Sequence, residues 1–277
     1  MEFTTEIYVY FIGAMLIAGV VAGIIAGLLG VGGGIVLVPV MFYLFTALDF
    51  DPAVRMHVAV GTSLSTIVAT AISSTRAHYA KQSVDIALLK SWGPWLLVGT
   101  VIGMSLFSSI ESVQLTFVFS AITFLIAVYM LLGPSGKNDE TGNLPKGPIR
   151  WTSGIAVGGL SSIMGIGGGS LTVPLLSFYR YPIRRAVGTA AAAGLVISIP
   201  GTIGAFLAGL GQPNLPPFSI GYVNLIAFAI LIPVTGYFAP IGARIAHSIN
   251  PKYLRFAFAA FLFFNAVNML LTALRSA

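Results

Sequence analysis

Two stretches of this chain have the composition of an anion-binding backbone: GLLGVGGGIVLVPV at residues 27–40 and SIMGIGGGSLTVPL at residues 162–175. Each holds a glycine triplet with a proline five residues beyond it, inside otherwise apolar sequence. Glycine lets main chain approach a ligand closely and takes dihedrals closed to other residues, but each one weakens a helix by ~1 kcal/mol relative to alanine. Three in succession predict a broken helix. Proline is tolerated in a first helical turn, so Pro39 and Pro174 predict that a helix resumes near Val38 and Val173. A helix starting at such a break presents unpaired N–H groups and a partial positive charge, which together hold anions. Gly32, Gly33, Gly34, Gly167, Gly168 and Gly169 are therefore candidate substrate-binding residues.

A second repeated element supplies hydroxyls. AVGTS from Ala59 matches AVGTA from Ala186, at an offset of 127 residues. Thr62, Ser63 and Thr189 can donate to an anion or merely bond a preceding carbonyl. Symmetry favours the threonines, because Ala190, the counterpart of Ser63, has no hydroxyl.

These residues must be positioned by membrane helices. With 57% hydrophobic and 8% charged residues and a mean hydropathy of +0.95, the 277-residue chain has too little polar surface for a soluble globule. Apolar stretches near the ~20 residues that cross a bilayer core run at Tyr8–Leu29, His57–Thr75, Ile86–Phe107, Ser112–Leu132, Arg184–Leu210, Ile220–Ala246 and Pro251–Ala273. Glu2 and Glu6 stand where a cleavable signal would be basic, so the first stretch is expected to be retained. Cysteine is absent, which removes disulfides, thiolate nucleophiles and Cys-ligated metals. The net charge of +6 comes from the ends of the apolar stretches, as topology signals do, and does not indicate a nucleic-acid partner.

The halves are one unit, duplicated. At an offset of 135, Gly30, Gly32, Gly33, Gly34, Val38 and Pro39 match Gly165, Gly167, Gly168, Gly169, Val173 and Pro174; at 139, the stretch from Ile102 tracks the one from Ile241. The polar segment Gly133–Pro148 reads as a cytoplasmic linker between an N-terminal repeat (1–132) and a C-terminal repeat (149–277). If Tyr8–Phe45 is a two-armed hairpin with glycines at its tip, 12 of the 14 Lys and Arg residues fall on one side, leaving Arg55 and Arg275 opposite. If the first stretch instead crosses alone, the split is seven to seven. The hairpin is the better reading. A hairpin plus three spans brings each half out opposite its start, so the second copy must be inverted. The expected fold is an all-α polytopic membrane protein of about ten helical segments, with both termini periplasmic and the basic side in the cytoplasm.

Ionisable residues inside a span would be functional by default. Asp49, Asp51, Glu111, Asp85, Asp139 and Glu140 all map to span ends, so no proton carrier stands out. His57, His78 and His247 sit at boundaries, and no catalytic or metal role is expected of them. Arg76, Arg184 and Arg185 border the Gly-Thr elements on the basic side, and a vestibule attracting anions is one use for them. The isolated pairs Gly99 with Gly103 and Gly154 with Gly158 fit close helix packing better than ligand binding.

At GLLGVGGGIVLVP, AVGTS, GIGGGSLTVP and AVGTA the chain resembles the sulfite exporter TauE/SafE family of membrane permeases, and the likeness covers nearly the whole length. One departure is Gln82, where the family commonly has glycine. The resemblance implies transport of sulfite, sulfoacetate and related organosulfonates across the bacterial inner membrane, with no enzyme activity and no cofactor. The resulting expectation is a secondary transporter working by alternating access on a small anion at the paired glycine tips. An anion channel built from the same half-helices is the alternative.

Overall fold

Helix starts follow local side-chain chemistry. Asp51 caps a helix at Pro52, its Oδ1 accepting the Ala53 N–H at 2.8 Å, and Asp85 caps another by accepting the Leu88 N–H at 2.9 Å. Asn224 accepts the Ala227 N–H at 3.0 Å and opens a third. The computed structural model describes residues 5–29, 32–132, 142–245 and 251–276. In chain order the elements are α1 (Thr5–Leu29), α2 (Gly34–Ala47), α3 (Pro52–Ala80), α4 (Ile86–Phe107), α5 (Ser112–Leu132), α6 (Pro148–Met164), α7 (Gly169–Phe178), α8 (Ile183–Ala208), β1 (Ser219–Ile220), β2 (Val223–Asn224), α9 (Leu225–Ile245) and α10 (Pro251–Ser276). Gly30, Lys137, Asp139, Glu140 and His247 lie outside the described residues, as does most of the expected linker.

The chain is an all-α polytopic membrane protein. Among the described residues α3, α4, α5, α8 and most of α9 are long and apolar enough to cross a bilayer. Leu97, Val101 and Leu106 on α4, Leu125 on α5 and Ile203 and Leu207 on α8 face outward, as lipid-contacting side chains should. The short antiparallel pairing of β1 with β2, Ser219 opposite Asn224, takes up the start of the apolar stretch read at Ile220–Ala246, so its helix begins at Leu225.

Lipid is as apolar as leucine, so helices in it associate through close packing at small residues. α4 lies along α6: a Cβ on Gly99 would collide with the Ile155 carbonyl, one on Gly158 with the Leu96 carbonyl, and one on Gly103 would stand 2.6 Å from Ser162 Oγ. These are the glycines expected to pack rather than bind. α1 lies along α9 in the same manner, through Gly23 against Thr235 and Phe238 and Gly242 against Ile24. Gly19 and Gly23 meet residues that likewise ascend along α9, so these two helices run parallel.

At the centre α3 crosses α8. In its most apolar window α3 is 78% buried, against 28–50% for the other candidate spans, which makes it the axis of the molecule. Gly61 meets Ala205, Leu64 meets Gly201 and Ala71 meets Gly194, so the two helices run antiparallel. α5 packs on α10, where the Phe124 and Phe263 rings meet at a tilt of 40° with centroids 5.5 Å apart. Phe263 is the counterpart of Phe124 at the 139-residue offset.

Candidate functional site

The glycine triplets break the chain as expected, but the helices restart earlier. α2 and α7 begin at Gly34 and Gly169, five residues ahead of Pro39 and Pro174 rather than beside them. Both prolines lie inside their helices, each removing one main-chain hydrogen bond at the sixth position. The glycines set the start: Gly33 (φ 77°) and Gly168 (φ 78°) are left-handed residues immediately before each helix. Gly32 (φ 71°) and Gly167 (φ 63°) share that conformation, which costs an ordinary L-residue roughly 1–2 kcal/mol.

The two tips touch. A Cβ on Gly34 would collide with the Gly165 carbonyl and stand 2.9 Å from Ile166 Cα. Residues 32–39 and 165–170 are all buried. Between the tips sits Ile67, from the middle of α3, whose side chain reaches within 3.1 Å of the Cβ position of Gly32 and 2.7 Å of those of Gly34 and Gly167. Its counterpart on α8 at the 127-residue offset is Gly194, which has no side chain to place there and instead faces the Gly167 carbonyl.

The polar groups of the tips are not evenly used. Ser63 Oγ donates to the Gly165 carbonyl at 2.7 Å, and Thr70 Oγ1 lies 3.2 Å from the Gly32 carbonyl. The amides are another matter. The first ones engaged are Val36 and Leu37, both on the Gly33 carbonyl, and Leu171 and Thr172, both on the Gly168 carbonyl. Among the described residues no acceptor takes the N–H groups of Gly32–Ile35 or Gly167–Ser170. With carbonyls tied to α3 and amides left open, each tip presents the positive end of its peptides.

Thr62 and Thr189 stand elsewhere, in a matched pair of docking notches. Thr62 Oγ1 accepts the Asn224 N–H and Thr189 Oγ1 accepts the Asp85 N–H, each at 2.9 Å. The glycine before each threonine admits a carbonyl where a Cβ would collide: Tyr222 at Gly61 and Ser83 at Gly188. Residues 83 and 85 correspond to 222 and 224 at the 139-residue offset. Each Gly-Thr pair thus clamps the same three-residue segment of the opposite half. The likeness of SVDI (83–86) to YVNL (222–225) was the sequence signal for this contact.

The three arginines considered for a vestibule, Arg76, Arg184 and Arg185, are all exposed, and Arg185 also pairs with Asp85 at 2.8 Å and lies over the Tyr181 ring. Tyr181 also donates to Asp85. Burial pushes the Tyr181 phenol well above its usual range, and the Asp85 carboxylate beside it adds to the rise. Burial alone would raise the Asp85 carboxyl, but the hydrogen bonds from Tyr181 and the Leu88 amide, with the Arg185 charge, bring it below the usual range. Arg185 therefore fastens the α3–α4 turn to α8.

His57 is buried, with Nε2 at 3.2 Å and 2.9 Å from the Phe107 and Ile110 carbonyls and its ring stacked on Tyr222. It borders a concavity of about 200 Å³ that also includes Asp51, Glu111 and Asn214. Two carboxylates give that concavity a negative character, which disfavours anions.

Comparison with known proteins agrees with this architecture. The sequence profile of the family described as Sulfite exporter TauE/SafE matches residues 15–269. A probable membrane transporter protein of Haemophilus influenzae is 31% identical over 262 residues, covering 94% of this chain and 98% of that one. A probable membrane transporter protein of Methanocaldococcus jannaschii is 29% identical, covering 93% and 94%, and one of Bacillus subtilis, YunE, is 27% identical, covering 86% and 89%. No solved structure matches. A helical, membrane-spanning chain with paired glycine breaks, matched along nearly its whole length, belongs to the TauE/SafE family and is a membrane transporter rather than an enzyme.

Proposed function

We propose that the chain is a secondary transporter that exports a small sulfur-containing anion, sulfite or an organosulfonate such as sulfoacetate, by alternating access between two inverted repeats. One observation carries this reading: the two glycine tips meet in the centre of the bundle with their amides open and Ser63 and Thr70 turned to their carbonyls. An anion there exchanges its water shell for main-chain N–H groups, as at other helix starts. Broken helices survive at membrane depth where they line a cavity or are buried in protein, and transporters built from inverted repeats bind at such breaks.

The antiparallel crossing of α3 with its counterpart α8, and the reciprocal Thr62 and Thr189 clamps, support the inverted arrangement. The sulfur chemistry is taken from the family description. Export follows from charge: an inside-negative potential drives an anion outward by about 2.3 kcal/mol per charge per 100 mV. The basic side is assigned to the cytoplasm of the bacterial inner membrane, which leaves both termini periplasmic.

In the arrangement described, the contact of Gly34 with Gly165 and the Ile67 side chain close the space between the tips. Passage of the anion then requires the tips to part, which favours a carrier over a channel with a standing pore. Purified protein in liposomes tests this with radiolabelled sulfite. Saturable efflux that accelerates when unlabelled sulfite is added on the far side supports the carrier. Linear flux indifferent to that addition means a channel, and no sulfite or sulfoacetate flux at all refutes the substrate class.

A further inference from the structure

The tips match in backbone and differ in side chains. Around the second tip, Ser161, Ser170 and Ser198 are 0%, 3% and 0% exposed, and none of the three hydroxyls has a hydrogen-bond partner. Serine in a membrane helix ordinarily bonds a carbonyl of the preceding turn. Ser120 does so to Thr116 at 2.7 Å, and Ser162, the neighbour of Ser161, bonds Gly159 at 2.9 Å. Ser161 Oγ instead lies 3.8 Å from the Cβ position of Gly168. Ser198 follows Ile197, which touches Gly168, and stands one turn beyond Gly194, which faces the Gly167 carbonyl. Ser170 belongs to the first turn of α7, and its own N–H is among the open amides.

The corresponding residues at the first tip are Ala26, Ile35 and Ala71, all buried and all without a hydroxyl. Ser74 and Thr75, farther along α3, also have unpartnered hydroxyls. Hydroxyl groups sealed from water without acceptors are costly, and a cluster of them beside open amides is what an oxyanion satisfies: every group is a donor.

Resting on the transporter reading above, we propose that the anion binds one-sidedly, at the second tip. Its oxygens take the N–H groups of Gly167–Ser170 and the hydroxyls of Ser161, Ser170 and Ser198. At the first tip the nearby hydroxyl, Thr70, is already bonded to carbonyls, and this tip, with Ile67 beneath it, acts as the cover that lifts away.

The test uses the full chain in proteoliposomes, with sulfite as the probe and Ser161→Ala, Ser170→Ala and Ser198→Ala singly and together. Removing a hydroxyl that donates to a charged ligand weakens it by about tenfold, so each variant is expected to raise the KM for sulfite by about that factor while the maximal rate is kept. Ser120→Ala, whose hydroxyl is already paired, should leave KM unchanged. Unchanged KM in all three single variants and in the combined one overturns the one-sided site. If Gly168→Ala still raises KM in that case, the tip reading survives and only this inference falls. If Gly168→Ala has no effect either, both fall together. Equal increases of KM from Gly33→Ala and Gly168→Ala also overturn one-sidedness, since the two glycines have the same conformation.

Discussion

Gly34→Ala should pull the tips apart without damaging either helix. Gly34 is the first residue of α2 and, unlike Gly33, has no left-handed φ, so alanine fits its backbone. The helix gain of about 1 kcal/mol for replacing glycine is the same whether the tips are closed or parted, and cancels from that equilibrium. The steric cost does not cancel. In the closed arrangement the new methyl overlaps the Gly165 carbonyl and stands 2.7 Å from Ile67 Cδ1 and 2.9 Å from Ile166 Cα. Overpacking of this kind costs about 1–3 kcal/mol. Two of the three obstructing atoms are main chain, which puts the expected cost toward the upper end. A bias of that size multiplies the parted population by about 5- to 150-fold. The chain has no cysteine, so a single Ile166→Cys reports the change cleanly. Ile166 is fully buried, and labelling of the cysteine by a water-soluble maleimide in detergent-solubilised protein should accelerate at least fivefold when Gly34→Ala is added. Equal labelling rates in the two backgrounds would refute the reasoning, because the methyl would then have found room without separating the tips.

Thr62→Val leaves the buried Asn224 N–H and Thr189→Val the part-buried Asp85 N–H without an acceptor, and each should destabilise the protein, the first by about 1–3 kcal/mol. The loss should be the larger for Thr62→Val, because the Asp85 N–H is only part-buried; unfolding temperatures in detergent will show it. Gln82 adopts φ 55°, a left-handed value that glycine takes without strain, so Gln82→Gly should stabilise by about 1 kcal/mol in the same assay. Asp85 is held below its usual range in the folded protein, so its contribution is complete above the unfolded carboxyl value of about 3.9 and disappears as pH falls through the lower folded value. Unfolding curves taken at falling pH should therefore lose less stability in Asp85→Asn than in the parent chain below about pH 4. Cysteines at Lys81 and Arg185 should label from the same face of intact cells; labelling from opposite faces would contradict the hairpin topology.

Much of this arrangement can be read from residue types alone, and the failures have physical causes. The spans Ile86–Phe107 and Ser112–Leu132 coincide with α4 and α5, since an apolar run ending in Ser or flanked by Asp defines a membrane helix by length and cap together. The glycine breaks were legible for a similar reason: three consecutive residues with no Cβ have few alternatives. The helices restart ahead of the expected Val38 and Val173 because glycine conformation, not proline position, sets the start. A left-handed Gly33 or Gly168 already fixes where the first helical residue falls, and bilayer helices tolerate a proline six residues in. The β1–β2 hairpin overlaps the start of an apolar stretch, where hydropathy does not distinguish strand from helix. Ile67 could not be found from its own half. Only its position opposite a glycine in the duplicated helix marks it, and that contrast acquires meaning once both tips are seen to meet there.

A structure determined in the presence of selenite, the heavier analogue of sulfite, would test the central claim most directly, because anomalous scattering locates selenium without reference to the protein. The account predicts a single strong peak between the glycine tips, within hydrogen-bond distance of the amides of Gly167–Ser170. A peak in the concavity beside Asp51 and Glu111, or none at the tips in protein that still transports sulfite, would contradict it.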